Sequence, residues 1–385
     1  MADEVVYLDH HATTPVDERV LTRMLPYFRE AFGNAASRNH TYGWKAEEAS
    51  EAARARVAKL IGGTTREIVF TSGATEANNL ALFGVAAAYG DGEIITQATE
   101  HKAVLDPCKV LAQRGFRVTT LPVDRYGLVD PGAVAEALTA ETRIVSIMFV
   151  NNEIGTVQPI AEIGDLCRRA GALFHTDATQ GVGVAPINVD AMGIDLLSLS
   201  GHKIYGPKGV GALYVRRKKP RVKLEPLLYG GGHERGLRSG TLNVPAVVGL
   251  GEACRILTEE MAADSLRVRA LRDRLHERIG ASTSGVVLNG HPELRHPGNL
   301  NLSFADVEAE ALIMSMRGVA VSSGAACASA TLEPSHVLRA IGLDEELAHG
   351  SIRFGLGRFN TETQIDAVAD IVISKVPHVR RLRGA

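Results

Sequence analysis

The chain has 385 residues, a length that allows two domains and a substantial core. Its 42 Lys and Arg residues nearly balance its 44 Asp and Glu residues, so we expect no binding to nucleic acid or to an anionic membrane surface. The acidic N-terminus lacks the basic region of a signal peptide and no uncharged apolar run is long enough to span a bilayer, so we expect a cytoplasmic protein.

Short β-like runs alternate with helix-like stretches through the first two thirds of the chain. Residues 67–70, 93–95 and 143–147 are typical of strands, whereas residues 45–61 and 161–170 have a helical pattern. This alternation is typical of a mostly parallel sheet whose strands are joined by crossover helices. We therefore predict an α/β fold for this part of the chain.

The pattern changes after about residue 251, where a long helical pattern runs through residues 261–279. Shorter, mixed signals follow, with predicted strands at 300–304, 319–322 and 351–354 and predicted helices at 305–316 and 361–375. The first fifteen residues are typical of a strand and a turn that could cross between domains. We therefore predict a large domain over residues 16–257 and a smaller α+β domain formed by residues 1–15 and 258–385.

A glycine turn follows the predicted strand at residues 67–70. The sequence TSGAT at residues 71–75 leads into a predicted helix, and the N–H groups at a helix N-terminus attract phosphate. The hydroxyls of Ser72 and Thr75 can add donors. The same sequence also makes a good helix cap, so the turn alone does not decide between the two interpretations. No GxxxxGK[ST] motif is present, which disfavours a nucleotide P-loop.

Two polar residues follow later apolar runs. Asp177 follows the run at residues 172–174, and Lys203 follows the run at residues 195–199. An arbitrary aspartate and lysine at this separation are usually a strand-end cap and a loop lysine, but α/β sites open where such strands end. A lysine amine can form a Schiff base with pyridoxal phosphate, while an aspartate keeps its pyridine nitrogen protonated. The pair therefore predicts pyridoxal 5'-phosphate as the cofactor.

With these motifs in order, the chain resembles the cysteine desulfurases, fold-type-I pyridoxal-phosphate enzymes of the class-V aminotransferase family, and most closely their housekeeping iron–sulfur cluster branch. The resemblance covers nearly the whole chain and lies in residues 7–15, 71–76, 99–104, 150–155, 175–180, 200–209, 230–241 and 322–327. It implies a large domain with a mostly parallel seven-stranded sheet flanked by helices. It also implies a smaller α+β C-terminal domain that carries the catalytic cysteine loop.

The resemblance further implies roles for individual residues. Lys203 would bind the cofactor aldehyde, His101 would stack on the pyridine ring and move protons, and Arg353 would hold the substrate carboxylate. Asn152 would bind the phenolic oxygen of the cofactor and contact the substrate. The other cofactor-binding residues would be Asp177 and, around the phosphate, Ala74, Thr75, Gln180, Ser200, His202 and the partner subunit's Thr241. The site would then be shared across a homodimer.

Cys327 is distinctive among the four cysteines because residues 322–330 around it are small, which favours a mobile loop. The resemblance implies that the Cys327 thiolate takes sulfur from L-cysteine as a persulfide and that L-alanine is released. It implies an iron–sulfur scaffold protein and other persulfide acceptors as partners, with Cys327 a transient iron–sulfur ligand. Three cysteines fit buried small hydrophobic residues instead, namely Cys108, Cys167 and Cys254.

Several alternatives remain open from the sequence alone. A histidine near a helix start, such as His101, is often a cap, and Arg353 could pair with a carboxylate at the edge of a core. We predict no intrinsic metal, because neither HExxH nor compact spacing supports a site made from His101, His175, Asp177 and His202. A selenocysteine lyase or a small-substrate aminotransferase would share Asp177 and Lys203, and a silent binding subunit would keep the fold.

Overall fold

The computed structural model describes residues 5–323 and 335–383. The strands in these ranges are β1 (Val6–Tyr7), β2 (Ile68–Thr71), β3 (Glu93–Gln97), β4 (Arg117–Leu121), β5 (Thr142–Ser146), β6 (Leu173–Asp177), β7 (Leu196–Ser200), β8 (Gly211–Val215), β9 (Val286–Leu288), β10 (Asn299–Phe304), β11 (Val319–Ala320), β12 (Ser322–Ser323) and β13 (Ser351–Gly355). The helices are α1 (Glu18–Met24), α2 (Pro26–Arg29), α3 (Thr41–Ile61), α4 (Ala74–Tyr89), α5 (Lys102–Gln113), α6 (Pro131–Ala137), α7 (Ile160–Ala170), α8 (Val244–Ser282), α9 (Ala309–Ser315), α10 (His336–Ala340), α11 (Glu345–His349) and α12 (Glu362–Arg383).

The largest sheet has seven strands in the order β2-β8-β7-β6-β5-β3-β4. Strand β8 is antiparallel to both of its neighbours, and the pairs from β7 to β4 are parallel, which confirms the predicted mostly parallel seven-stranded sheet. Because β2 runs in the same direction as the parallel strands, their carboxyl ends lie at one edge. Thr71, Gln97, Asp177 and Ser200 end four of these strands, so the predicted motifs meet at that edge.

Helices cover both faces of this sheet, which explains why most of its strands are buried along their whole length. On one face, Phe70 and Phe174 share a core with Val57 of α3. On the other face, Val69 shares a core with Leu80 of α4. The alternation of strand and helix in the sequence thus produces a three-layer α/β arrangement.

The C-terminal part is built on an antiparallel sheet in the order β12-β13-β10-β9. Its core contains Phe304 and Phe354 from the sheet and Val372 from α12. Strand β1 pairs with β11 in a separate parallel sheet, and the amide of His10 then donates to the carbonyl of Gly355. The N-terminal segment therefore crosses from this sheet toward the edge of the large sheet.

Helix α8 joins the two parts as one continuous element of 39 residues. Leu250, in its first half, packs in the core of the large sheet, whereas Leu275, in its second half, packs in the core of the antiparallel sheet. These separate cores support the domain boundary near residue 258 that we propose.

Several predicted element boundaries were wrong. Residues 319–322 do not form one strand, because β11 pairs with β1 while β12 pairs with β13. The helix predicted over residues 305–316 begins only at Ala309, since Asp306 has a φ of 59° that a right-handed helix excludes. The predicted helix over residues 261–279 is the second half of α8, and the one over 361–375 continues to Arg383.

Candidate active site

A cavity of about 670 Å³ opens at the carboxyl edge of the large sheet and extends to β12 and β13. This volume is within the range of small-molecule and cofactor sites. Ten of the predicted site residues line it: Ala74, Thr75, His101, Asn152, Asp177, Gln180, Ser200, His202, Lys203 and Arg353. Thr241 is exposed and does not line it, and Cys327 lies outside the described residues.

The N-terminus of α4 forms one wall of the cavity. Gly73 caps this helix with a φ of 153° and provides no side-chain cap, which leaves N–H donors of the first turn for a ligand. Gly211 permits the close packing of this turn, because a Cβ there would lie 2.4 Å from the carbonyl oxygen of Leu199 and 2.8 Å from Cα of Gly73. With Lys208 on the same cavity, this wall fits a phosphate group.

Asp177 is held from two sides at the end of β6. Its Oδ2 accepts a hydrogen bond from Asn78 Nδ2 at 2.6 Å, and its Oδ1 accepts one from the amide of Thr179 at 2.9 Å. Both neighbours line the cavity, and Asn78 Oδ1 and Thr179 Oγ1 are buried without a hydrogen-bond partner among the described residues. Buried polar atoms are usually satisfied, so these two atoms fit a polar ring ligand placed against Asp177.

Lys203 ends a short turn, Gly201–Lys203, that follows β7 directly. Its Nζ donates to the carbonyls of His11 and Ala12, the latter at 2.9 Å. Gln180 lines the cavity, but its Nε2 donates to the His11 carbonyl at 2.8 Å and its Oε1 accepts from His11 Nδ1 at 3.2 Å. Gln180 therefore fixes the segment on which the lysine amine rests.

His101 is both the helix cap and a cavity residue. Its Nδ1 accepts a hydrogen bond from the amide of Ala103 at 3.0 Å, so the proton of the neutral ring lies on Nε2. Burial lowers the pKa of His101 below 6.5, and Lys203 lowers it further, although Asp177 opposes the shift. The neutral form of His101 therefore offers an N–H donor on its second nitrogen.

His202 is also neutral near pH 7. Burial, with smaller contributions from Lys203 and Lys208, lowers its pKa to about 4. Its Nδ1 lies 3.1 Å from Thr13 Oγ1, which fixes the orientation of the ring. A phosphate bound beside His202 would therefore meet a hydrogen-bonding ring and not a second cation.

Arg353 enters the cavity from β13, at the centre of the antiparallel sheet. Its Nη1 donates to the carbonyl of Asn152 at 2.9 Å and its Nη2 to Asp9 Oδ1 at 2.8 Å. The Arg353 side chain is 5% exposed, and its Nε has no hydrogen-bond partner among the described residues. The arginine thus pairs with a carboxylate, as the open alternative proposed, and still has a buried donor for a ligand.

The other groups considered from the sequence have structural roles. Burial raises the pKa of Cys108, Cys167 and Cys254 to about 12, so all three are neutral thiols. His175 is buried between Ser146 and Ser198 and contacts both hydroxyls.

Within residues 5–323 and 335–383, no cluster of three or more His, Cys, Asp or Glu side chains could hold a metal ion. No helix in these ranges has the length and apolarity to cross a membrane.

Among the cavity-lining residues that sequence reasoning missed are Asp9, His11, Asn78, Thr179 and Lys208. Asn78 could have been found, because it lies four residues after Ala74 and therefore on the same face of α4 as the phosphate wall. Asp9 and His11 stand inside the motif at residues 7–15, but the partners of their side chains lie 344 and 169 positions away. Nothing in the local sequence indicates those contacts.

Comparisons with known proteins agree with this geometry. Residues 6–368 match the class-V aminotransferase family. The chain is 55% identical over 379 residues to the cysteine desulfurase IscS of Rickettsia rickettsii (strain Iowa), covering 98% of this chain and 92% of that protein. A solved NifS-like protein superposes with a TM-score of 0.90 at 37% identity, covering 97% of this chain and 100% of that one. The solved structure of SspA in complex with cysteine has a TM-score of 0.83 at 39% identity, covering 92% of this chain and 100% of SspA. The chain therefore belongs to the class-V aminotransferase family and, within it, to the pyridoxal-phosphate-dependent cysteine desulfurases.

Proposed function

We propose that this chain removes the sulfur of L-cysteine, releases L-alanine and takes the sulfur on Cys327. The observation that carries the proposal is one cavity lined by Lys203, Asp177 and the uncapped N-terminus of α4. The similarity to SspA, solved in complex with cysteine, supports L-cysteine as the substrate. When bound, pyridoxal phosphate supplies an electron sink for negative charge that develops on the substrate.

The cofactor would be held by groups from the large domain. Lys203 would bind its aldehyde, and Asp177, fixed by Asn78 and Thr179, would pair with its pyridine nitrogen. The phosphate would lie on the N-terminus of α4, with Ala74, Thr75, Ser200 and His202 around it. Asn152 also lines the cavity and would bind the phenolic oxygen. Gln180 acts through His11, as its hydrogen bonds indicate.

Two side chains would move protons. Lys203 would take the proton from the substrate α-carbon at Nζ, from which the carbonyls of His11 and Ala12 already accept hydrogen bonds. His101 would stack on the ring and donate from Nε2, because its Nδ1 is engaged by the amide of Ala103. The neutral ring of His101 would therefore begin as a proton donor.

The sequence joins Cys327 to a residue that lines the cavity. Ser322 of β12 lines the cavity, and Cys327 follows five residues later. Five fully extended residues span about 17 Å at most, so Cys327 would lie within that distance of Ser322 and its thiol would reach the substrate. The Cys327 thiolate would attack the substrate sulfur, forming an S–S bond and breaking the C–S bond. The electron pair of the C–S bond would stay with the substrate carbon. Protonation of that carbon would give L-alanine, which is released.

A homodimer would complete the site. Thr241 is exposed and outside the cavity of its own chain, as expected of a residue that reaches the cofactor phosphate of a partner. Phe32 and Tyr42 expose 64% and 47% of their surface with ring centroids 5.2 Å apart, and Trp44 is 53% exposed. Apolar surface of this kind often marks an interface. We place these side chains at or beside the contact between subunits.

The persulfide would then pass to other proteins. The name of the Rickettsia relative supports iron–sulfur cluster assembly as one destination, with a scaffold protein and other persulfide acceptors as partners. During such a transfer Cys327 would be a transient iron–sulfur ligand, and the protein would work in the cytoplasm. A persulfide carries a transferable outer sulfur, so acceptor thiols are the chemical class of these partners.

The proposal is tested by following alanine and sulfide release from L-cysteine in the presence of a thiol reductant. The wild-type protein should produce both in equal amounts. Cys327→Ala should lose both while its cofactor absorption is unchanged, and Cys254→Ala is the matched control because that thiol is buried and neutral. Alanine and sulfide release that survives in Cys327→Ala would favour a lyase instead.

A further inference from the structure

Two acceptors of the protein itself hold the guanidinium of Arg353. Arg353 Nη1 donates to a main-chain carbonyl, that of Asn152, and Nη2 donates to the carboxylate of Asp9. The side chains of Arg353 and Asp9 are 5% and 18% exposed. A charge-assisted hydrogen bond in this environment is stronger than one at the surface, so the orientation of the guanidinium is defined.

Asp9 is itself fixed by its backbone. Its carbonyl accepts hydrogen bonds from the hydroxyl of Tyr7 at 3.1 Å and from the amide of Ala12 at 2.9 Å. Asp9 also forms a parallel bridge with Gly355, two residues after Arg353 on the same strand. The carboxylate and the guanidinium therefore belong to one rigid unit, in which the N-terminal segment lies against β13.

The hydrogen bonds to Asp9 and Asn152 leave other N–H groups of Arg353 for a ligand. A guanidinium has five N–H groups, and Asp9 and Asn152 each accept from one of them. The N–H on Nε is buried and has no partner within the described residues. A carboxylate placed along the Nε edge would satisfy this donor and could take a second bond from Nη2, which is the bidentate geometry that arginine prefers.

The charges around Arg353 also limit what can bind. Asp9 offsets the single positive charge of Arg353. One substrate carboxylate bound to this pair therefore already gives the corner of the cavity formed by Arg353 and Asp9 a net negative charge. A second anionic group about 5 Å from Asp9 would be repelled, with a cost of roughly fivefold or more in affinity for an effective dielectric constant of 20 to 80. The corner therefore suits an α-amino acid with an uncharged side chain.

We propose that Asp9 is the positioning residue that sets substrate specificity, by presenting the Nε edge of Arg353 to one α-carboxylate and by disfavouring amino acids with an acidic side chain. This inference rests on the proposed function, because it requires Arg353 to hold the substrate carboxylate. Asp9 acts through Arg353 and needs no contact with the reacting atoms.

The test measures ligand binding to the holoenzyme through the absorption of the bound cofactor, which does not require turnover. L-alanine, L-alaninamide and L-aspartate are titrated into the wild type, Asp9→Asn, Asp9→Ala and Arg353→Lys. Asp370→Asn is the matched control, because Asp370 forms an exposed ion pair with Arg278 at 2.7 Å, away from the cavity. Thermal melting and cofactor content establish that each variant is folded.

Removing the charge in Asp9→Asn should improve the affinity for L-aspartate relative to L-alanine by roughly fivefold or more. Removing the side chain in Asp9→Ala should reduce the preference for L-alanine over L-alaninamide by about tenfold, the equivalent of one charge-assisted hydrogen bond. If Asp9→Ala does not fold, the L-aspartate measurement on Asp9→Asn still decides the matter.

The outcomes separate this inference from the function on which it rests. If Arg353→Lys loses the preference for the carboxylate while both Asp9 variants keep the wild-type ratios, Asp9 has no such role and the carboxylate site stands. If Arg353→Lys keeps the preference for L-alanine over L-alaninamide, the carboxylate site is elsewhere, and the role of Asp9 is rejected with it.

Discussion

The two sides of the cavity are built in different ways. On the large-sheet side, Asp177 and Lys203 stand at or just after the ends of buried neighbouring strands, and the parallel ladder fixes their separation. On the opposite side, Arg353 and Ser322 come from an antiparallel sheet, and Asp9 comes from a segment that crosses over from β1. The first side is specified by one sheet, whereas the second requires three separate parts of the chain to meet.

This difference suggests a division of labour. The rigid strand ends would hold the cofactor, which stays in place through every turnover. The side formed by several segments would hold the substrate carboxylate and carry the thiol, both of which must engage and release. Variants on the large-sheet side should therefore impair cofactor binding, whereas variants on the opposite side should impair substrate binding.

The largest expected effect is on the cofactor side, at Lys203. Lys203→Ala should lose the covalent link to the cofactor and lower kcat by more than about 10³-fold, because the amine is also the proposed base. Borohydride reduction of the wild type should place the cofactor on the peptide that contains Lys203. Lys208→Ala, which removes the other lysine of the cavity, should keep the covalent attachment. A label on any other lysine would contradict the assignment.

The second effect concerns how the large domain anchors the segment before Thr241. Arg54 donates from two nitrogens to Glu234 at 2.7 and 2.8 Å, and both side chains are nearly fully buried. Glu234→Gln should lower the free energy of unfolding by about 3 kcal/mol, because the buried guanidinium of Arg54 loses its buried carboxylate partner and keeps only the exposed Glu51. The measurement is chemical denaturation of the holoenzyme.

The control for that measurement is Glu259→Gln, which removes one partner of an exposed pair with Arg255. It should change the free energy of unfolding by less than about 1 kcal/mol. Equal losses in the two variants would show that the buried pair has no special role in holding the segment.

The third effect lies on the substrate side. Arg353→Lys should raise KM for L-cysteine by roughly 10- to 100-fold, since a lysine cannot form the bidentate contact. Cofactor affinity should change little, because Arg353 bonds to the main-chain carbonyl of Asn152 and not to the side chain that would bind the cofactor. Steady-state kinetics and cofactor titration measure the two quantities separately. A fall in cofactor affinity as large as the rise in KM would contradict the division between the two sides.

The smallest effect concerns the contact between the two sides at low pH. A hydrogen bond from Arg19 lowers the pKa of Asp17 from 3.8 to about 2, burial opposes this shift, and Arg358 adds a further hydrogen bond. The folded state thus favours the carboxylate, so this stabilisation is complete above about pH 4 and is lost as the pH falls toward 2. Melting temperature against pH should show this decline, and Asp17→Asn should flatten it.

The sequence predicted the two sides unequally. Asp177 and Lys203 follow apolar runs, so the periodicity places them at the sheet edge, and the seven-stranded sheet followed from the resemblance and was confirmed. The partners of Arg353 could not be predicted, because Asp9 lies 344 positions away along the chain. The tautomer of His101 also required the structure, since it depends on one hydrogen bond to Ala103.

The measurement that tests the proposed sulfur transfer to Cys327 most directly is peptide mass spectrometry of the protein after mixing with L-cysteine and no reductant. One added sulfur atom per chain should be found on the peptide that contains Cys327, with one equivalent of L-alanine in solution. Peptides containing Cys108, Cys167 and Cys254 should be unchanged, because burial keeps those thiols neutral. Sulfur on one of those three cysteines, or alanine formed without any added sulfur, would contradict the proposed route.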